Sequence, residues 1–248
     1  MSAPTRHAPS NGRPAGDGRA ARAAATELLV RFGALRRGRR LALGAGELRL
    51  PLGASVALVG ANGAGKTTLL MAMAGVLTPR GGRATVEGPA GPLTSTGYVP
   101  QHPAFPAWLP LRDVLRLHDA PADSLDVLGP PARRGALLGR RADELSGGQT
   151  QALAAAIVLH RRDPLVLLDE PFAGVDLARR AALQALVAER RRRQPTSVLV
   201  LSSHVAADLD ALCDWVVVLR ARRCVFAGPR SALGGAGTFA ARLATLTG

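Results

Sequence analysis

The chain has 248 residues and a formal net charge of +14, and 47% of its residues are hydrophobic although only 3% are aromatic. This length suits a single domain with a substantial core, so we expect no second domain. No apolar stretch approaches the roughly 20 residues of a membrane-spanning helix, and the start of the chain lacks the apolar segment of a secretory signal, so we expect a soluble protein. Arginine is spread along the chain without interleaved aromatic residues, which argues against a nucleic-acid partner.

The predicted organisation is one domain between two tails. Residues 1–23 consist largely of arginine, alanine, proline and glycine, a composition that predicts disorder. Residues 24–235 are expected to form the domain, with an inserted helical subdomain at about residues 102–160. Residues 236–248 are expected to form a short C-terminal tail.

A phosphate-binding loop follows an apolar segment of strand length at residues 55–59 and precedes a predicted helix at residues 68–74. The loop has the pattern G-x-x-x-x-G-K-[ST], whose glycines let the backbone curl so that successive N–H groups point at phosphate oxygens. Lys66, the only lysine of the chain, is expected to reach the β- and γ-phosphates, and the Thr67 hydroxyl is expected to coordinate Mg²⁺. The predicted nucleotide-binding residues here are Gly60, Ala61, Asn62, Gly63, Ala64, Gly65, Lys66, Thr67 and Thr68.

Two acidic residues end a second apolar segment. Residues 165–168 are all apolar, which predicts a buried parallel strand that delivers Asp169 and Glu170 at its C-terminal end. Ligands bind at that end of the strands in open α/β sheets. We therefore expect Asp169 to hold Mg²⁺ and Glu170 to deprotonate a water that attacks the γ-phosphate.

Four further motifs carry a family resemblance. Leu145-Ser146-Gly147-Gly148-Gln149 matches letter for letter the signature of the ABC ATPases, the nucleotide-binding subunits of ATP-driven transporters. Tyr98-Val99-Pro100-Gln101 resembles the Q-loop of that family, Ala173-Gly174-Val175-Asp176 resembles its D-loop, and His204 resembles its switch histidine. Together with the phosphate loop, these motifs follow the order of the family.

The resemblance implies an α/β fold of the P-loop NTPase type, with a mostly parallel core sheet, an N-terminal antiparallel β subdomain and an inserted α-helical subdomain that carries the signature. It also implies a homodimer in which each ATP lies head-to-tail between the phosphate loop of one copy and the signature of the other. Ser146, Gly147, Gly148 and Gln149 are therefore expected to bind the nucleotide of the partner copy. The N–H groups at the start of the helix after Ser146 suit that task.

Other roles are implied by the resemblance alone. Gln101 would contact Mg²⁺ and the attacking water while its loop senses a transport partner. His204 would hold the γ-phosphate and the general base, and Asp176 would contribute to nucleotide binding. An isolated glutamine at a strand end is usually just solvated, and an isolated histidine is more often structural than catalytic, so only the spacing and order of the motifs favour these roles. The implied catalytic residues are Glu170, His204, Gln101 and Lys66, and the implied metal ligands are Thr67, Gln101 and Asp169.

Phe32 is the candidate for the aromatic ring that the family stacks on adenine, although the family usually has tyrosine there. The alternative is a core phenylalanine in a strand at residues 28–32, and both interpretations stay open. The chain departs from the family after the signature, where residues 150–152 and 156–158 lack the usual basic residues. This departure leaves the packing of the signature helix open.

The expected function is ATP hydrolysis in the cytoplasm on the inner face of the cell membrane, with ATP and Mg²⁺ as cofactors and a membrane permease as partner. An importer would also need a substrate-binding protein. Residues 97–101 and 109–111 look similar to those of zinc and manganese importers, which favours metal-cation uptake, while export of a drug, lipid or peptide stays open. The alternative function is a soluble ABC ATPase in iron–sulfur cofactor assembly.

Overall fold

The computed structural model describes residues 26–77, 84–203, 209, 211–234 and 236–247, so the predicted tail at residues 1–23 and His204 lie outside the described residues. The strands are β1 Glu27–Phe32, β2 Leu35–Arg37, β3 Arg40–Leu43, β4 Gly46–Pro51, β5 Ser55–Gly60, β6 Ala84–Gly88, β7 Gly91–Pro92, β8 Gly97–Val99, β9 Leu165–Asp169, β10 Val198–Ser202, β11 Trp215–Arg220 and β12 Arg223–Pro229. The α-helices are α1 Lys66–Met73, α2 Leu111–Leu117, α3 Arg134–Gly139, α4 Gly147–His160, α5 Leu177–Arg193 and α6 Ala236–Thr247. Short 3₁₀ helices span Ala122–Val127, Pro131–Arg133, Ala142–Glu144 and Arg230–Leu233.

A six-stranded sheet forms the centre of the domain, in the order β12-β11-β5-β10-β9-β8. Its strands run parallel except β12, which pairs antiparallel with β11 at one edge. An antiparallel sheet with the order β4-β1-β6-β7 forms the N-terminal β subdomain. The predicted fold class, a mostly parallel α/β core with an antiparallel β subdomain and an inserted helical subdomain, is confirmed.

The central strands are buried on both faces, because alternate side chains of a strand point to opposite faces. In β9, Val166 and Leu168 belong to a core that contains α4 and α5 residues. Leu165 and Leu167 belong to a core that contains α1 and β-subdomain residues. Two-sided burial therefore explains why this strand is continuously apolar up to its acidic end.

The inserted helical subdomain has a separate apolar core, to which residues of α2, the Ala122–Val127 helix and α4 contribute. Helix α4 serves two cores at once, since Leu153 and Ile157 pack within the subdomain while Ala152 and Ala156 pack toward the sheet. The last two are fully buried alanines, and Ala152 stands where the family commonly has an arginine. Small residues thus let the signature helix pack directly on the central sheet.

The C-terminal segment differs from the expected tail. Residues 236–247 form α6, which packs against β11 and β5. Leu243 is 4% exposed and belongs to the same core as α4 and α5. The prediction of a C-terminal tail is therefore wrong for these residues. The sequence does not show that β11 and β5 lie beneath this helix, so its few apolar residues could not be recognised as core residues.

One of the four arginines that end α5 turns into the protein. The Arg190 side chain is 1% exposed and donates hydrogen bonds to the carbonyl oxygens of Leu159 at 3.0 Å, Arg161 at 2.5 Å and Asp163 at 2.6 Å. Burial lowers the pKa of Arg190 to about 10, so the group stays charged at neutral pH. Arg190 therefore ties α5 to the loop that connects the signature helix to β9.

We expect Arg190→Ala to lower the free energy of unfolding by at least about 3 kcal/mol, because it leaves several buried carbonyl groups without a donor. The matched control is Arg192→Ala on the same helix, whose side chain is 71% exposed and pairs with Glu189. That loss should cost less than about 1 kcal/mol. Urea unfolding of both variants measures the difference, and equal stabilities would contradict the role of Arg190.

Candidate functional site

A cavity of about 500 Å³ lies where the loop between β5 and α1 meets the carboxyl end of β9. Nine of the predicted site residues line it: Asn62, Gly63, Gly65, Lys66, Thr67, Thr68, Gln101, Asp169 and Glu170. The fold therefore brings the phosphate loop, the Q-loop glutamine and both acidic residues to one place.

Lys66 begins α1 and folds back over its own loop. Its ammonium donates to the carbonyl oxygens of Gly60 at 2.7 Å and Ala61 at 3.4 Å, and the residue is only 8% exposed. A compact ammonium suits this narrow space, whereas a planar guanidinium is wider and requires a different geometry. The one lysine of the chain lies where arginine is a poor replacement.

Gly65 holds the loop against β3. Its φ of +108° lies in the region that favours glycine, and a Cβ atom there would come within 2.7 Å of the Ala42 carbonyl oxygen. No other residue type meets both conditions without strain. The β2–β3 hairpin consequently lies directly on the phosphate loop.

Asp169 is fully buried, and its two oxygens have different surroundings. Oδ1 accepts a hydrogen bond from the Ser202 hydroxyl at 2.6 Å, whereas Oδ2 has no hydrogen-bond partner within the described residues. A buried carboxylate oxygen without a donor is uncommon in native proteins and suits a cation. Thr67 and Gln101 line the same cavity with the oxygen ligands that Mg²⁺ prefers. These residues fit a magnesium ion.

Glu170 adopts a left-handed backbone conformation, with φ of +52°. Its N–H donates to the Ser202 hydroxyl at 2.9 Å, and its carbonyl oxygen accepts from the Gln151 amide at 3.5 Å. A conformation that costs energy in a non-glycine residue is common at functional sites, where the surrounding structure enforces it. The residue is 8% exposed and lines the cavity.

The Q-loop begins at the end of β8. Gln101 is exposed at the cavity, while Tyr98, three residues earlier, is half-buried. Burial, reinforced by the negative charge of Asp169 and opposed by the charge of Arg37, raises the pKa of Tyr98 to about 12. Tyr98 therefore stays neutral at pH 7.

The signature lies away from this cavity, at the start of α4. Ser146 caps the helix: its hydroxyl accepts from the Gln149 N–H at 3.3 Å, and its own N–H donates to the Gln149 side chain at 2.9 Å. A Cβ atom on Gly148 would come within 2.2 Å of the Gly174 carbonyl oxygen, so the signature touches the D-loop of the same chain. Ser146 and Gly147 are exposed, which leaves this helix terminus open to a ligand.

Asp176 in the D-loop caps the next helix. Its carboxylate accepts from the Arg179 N–H at 3.0 Å and forms an ion pair with the Arg179 side chain. The backbone hydrogen bond from Arg179 is the main reason that the pKa of Asp176 is lowered. Asp176 is exposed and does not line the cavity of its own chain.

Comparison with known proteins agrees with these motifs. Residues 44–173, more than half of the chain, match the family described as ABC transporter. The zinc import ATP-binding protein ZnuC of Paramagnetospirillum magneticum is 37% identical over 206 residues, which cover 79% of this chain and 75% of that protein. The chain belongs to the ABC transporter ATP-binding family.

Other members of the family match over different lengths. The Fe(3+) ions import ATP-binding protein FbpC of Yersinia pestis is 33% identical over 202 residues, which cover 74% of this chain but 56% of that protein. The chain thus spans little more than half the length of this ABC relative. A solved structure of an ATP binding subunit of an ABC transporter superposes with a TM-score of 0.69 at 25% identity, covering 89% of this chain and 100% of the other. Among the described residues, no helix is long and apolar enough to cross a membrane.

The ring of Phe32 is not placed to stack on adenine in this structure. It is 5% exposed and belongs to the core that contains the β subdomain. A Cβ atom on Gly46 would lie 2.9 Å from its ring. A ring this buried has no free face for adenine, so the structure supports the core alternative and corrects the prediction of stacking.

Several other predicted residues do not line the cavity. Gly60 and Ala61 contact Lys66 through their carbonyl groups, Ala64 lies in the same loop, and the others lie elsewhere in the chain. The predicted residues that do not line it are Phe32, Gly60, Ala61, Ala64, Ser146, Gly147, Gly148, Gln149 and Asp176. His204 lies outside the described residues.

Residues that sequence reasoning missed also belong to the site. Ser202 pairs with Asp169 in the register of β10 and β9 and binds both acidic residues. A polar residue that ends an apolar strand was an available signal for it. The cavity is also lined by Arg37, Arg40, Leu41, Ala42 and Arg222, for which the sequence has no motif.

Proposed function

We propose that this chain is the ATP-binding and ATP-hydrolysing subunit of an ABC transporter. The observation that carries the proposal is the cavity that Lys66, Asp169 and Glu170 line together. It combines a phosphate-binding loop, a buried carboxylate oxygen without a donor and a second carboxylate at the end of a parallel strand. These groups suit phosphoryl transfer to water, which depends mainly on positioning and charge stabilisation.

Each residue of the cavity has a distinct task in this reaction. The N–H groups of the loop bind the phosphates, and the Lys66 ammonium exchanges the carbonyl oxygens of Gly60 and Ala61 for the β- and γ-phosphate oxygens. Glu170 accepts the proton of the attacking water. When bound, Mg²⁺ neutralises charge on the phosphates, and Thr67, Gln101 and Asp169 would hold it. The family resemblance adds His204 as a partner of the γ-phosphate and Glu170.

We expect Glu170→Gln to lower ATP hydrolysis at least about 100-fold while ATP still binds, because only the base is lost. Without hydrolysis, Mg-ATP should hold two copies together as a stable dimer. Phosphate release and size-exclusion chromatography at saturating Mg-ATP measure both effects. Glu87→Gln, at a side chain of β6 that is 43% exposed, is the control and should behave as the natural chain. A Glu170→Gln chain that stays monomeric would refute the proposal.

The exposed signature supports a head-to-tail homodimer. Ser146 and Gly147 present helix N–H groups outward and lie away from the cavity of their own chain. A second copy placed head-to-tail would bring these groups to a γ-phosphate bound at Lys66, and closure of the two copies would expel water from the reacting centre. Each chain would then hold two half-sites.

Mixing two inactive variants tests this arrangement. Lys66→Arg damages the phosphate loop although charge is conserved, and Ser146→Arg blocks the signature. Each variant alone should hydrolyse almost no ATP. In a mixed dimer, one site combines both damaged halves and the other combines both intact halves, so an equal mixture should regain about a quarter of the natural rate. A mixture no more active than its components would contradict the shared site.

A groove of about 340 Å³ supports a membrane permease as the partner. It is lined by Q-loop residues, including Tyr98 and Pro100, and by Phe105, His118 and Ile157 around the helical subdomain. Burial, with the charge of Arg161, lowers the pKa of His118, and Arg161 itself also lines the groove. A permease segment seated here would lie beside the Q-loop and so act on Gln101. On this basis the chain works at the inner face of the cell membrane.

We propose metal-cation uptake as the cargo class, with a substrate-binding protein as a further partner. The relatives named above import zinc and ferric ions. These names also favour transport over the alternative of iron–sulfur assembly. Cells that lack this chain should take up radioactive zinc or ferric iron more slowly, and unchanged uptake of both would contradict the assignment.

A further inference from the structure

The part of the cavity beyond the phosphate loop is lined by arginines rather than by an aromatic ring. Arg37 and Arg40 come from the β2–β3 hairpin, and Arg222 comes from the turn between β11 and β12. We propose that these three guanidinium groups hold the base of the nucleotide and that the site accepts guanine at least as readily as adenine. The inference rests on the proposed nucleotide site and adds its base-binding part.

Two close contacts fix this arrangement. The hairpin lies on the phosphate loop, because the Ala42 carbonyl oxygen comes within 2.7 Å of a Cβ position on Gly65. The turn is joined to the chain after the hairpin, because the Gly44 N–H donates to the Arg222 carbonyl oxygen at 2.8 Å. Arg222 also lines a neighbouring cavity of about 290 Å³ together with Asn62 and Gly63. A nucleotide whose phosphates lie in the loop therefore has arginines on two sides of its remaining part.

These arginines are available for a ligand. Within the described residues, the side chains of Arg37, Arg40 and Arg222 form no hydrogen bond or ion pair. By contrast, an exposed arginine of the β subdomain does pair with an acid, as Arg31 does with Glu47 at 3.1 Å. Within the described residues no acidic side chain forms an ion pair with Arg37 or Arg40, although Asp169 and Glu170 line the same cavity.

The chemistry of this region favours guanine. Guanidinium planes stack on nucleobases much as aromatic rings do, so Arg37 or Arg40 can replace the missing ring. Their N–H groups are donors only, and guanine presents the O6 and N7 acceptors that arginine binds in pairs. The amino group of adenine is a donor, and neither Leu41 nor Ala42 has a side-chain acceptor for it. Guanidinium groups, which only donate hydrogen bonds, therefore do not exclude guanine.

Competition binding with the full chain tests the inference, with Mg-ATP, Mg-GTP and the magnesium complex of inorganic tripolyphosphate as probes. Mg-GTP should bind at least as tightly as Mg-ATP. The double variant Arg37→Ala/Arg40→Ala should weaken both nucleotides by about tenfold or more, because base stacking is lost. Tripolyphosphate has no base, so its affinity should fall less than about threefold at physiological salt.

The matched control is Arg36→Ala/Arg39→Ala, which removes the same charge from the same hairpin but changes residues that do not line the cavity. It should leave all three affinities within about threefold of the natural chain. A tenfold or greater preference for ATP, or an equal loss of tripolyphosphate and nucleotide binding in the first variant, would overturn the inference while leaving the nucleotide site intact. Failure of the natural chain to bind any of the three probes would instead overturn the proposed function.

Discussion

The hydroxyl group of Ser202 is the interaction on which the arrangement of the site depends. It donates to the carboxylate of Asp169 and accepts from the N–H of Glu170, so one side chain orients both acidic residues. Ser202 reaches them because β10 and β9 pair in parallel with Ser202 beside Asp169. A slip of one residue would turn every side chain of these two-sided buried strands to the wrong face, so the apolar core enforces the register.

The same sheet connects the site to the helical subdomain. Helix α4 packs on the central strands through buried alanines, and its Gln151 donates to the carbonyl group of Glu170. At the C-terminal end of α4, the Arg190 side chain of α5 donates hydrogen bonds to the loop that leads to β9. The signature helix is therefore attached to the β9 region at two points, while Ser146 and Gly147 at its start do not line the cavity of the chain. This arrangement is consistent with the proposed head-to-tail dimer.

In this arginine-rich chain, the role of each lysine or arginine side chain depends on its surroundings rather than on its residue type. Lys66 is confined between two carbonyl groups of the phosphate loop, and Arg190 is buried among carbonyl groups where burial lowers its pKa. Arg31 pairs with surface acids, whereas Arg37 and Arg40 line the cavity and form no ion pair within the described residues. The net charge of +14 says nothing about this division. Only the contacts of each guanidinium separate structural, surface and ligand-binding positions.

Features that a short motif specifies could be located from the local sequence. The phosphate loop, the acidic end of β9 and the signature helix could be located because strand periodicity, glycine spacing and capping residues act within a few positions of one another. Phe32 could not be settled in this way, since a phenylalanine in a strand suits either a core or a ligand, and only packing against Gly46 places it in the core. Helix α6 was missed for the same reason, because Leu243 becomes a core residue only where β11 and β5 lie beneath it.

The sequence by itself therefore determined the family, the fold class and the position of the phosphate loop, while the tertiary structure alone decided which residues surround the rest of the cavity. Arg37, Arg40 and Arg222 come from a hairpin and a turn that lie far apart along the chain and have no shared motif. They meet because β3 lies on Gly65 and the β11–β12 turn bonds to Gly44. Such long-range contacts depend on how whole sheets pack, and no local pattern of residues encodes them.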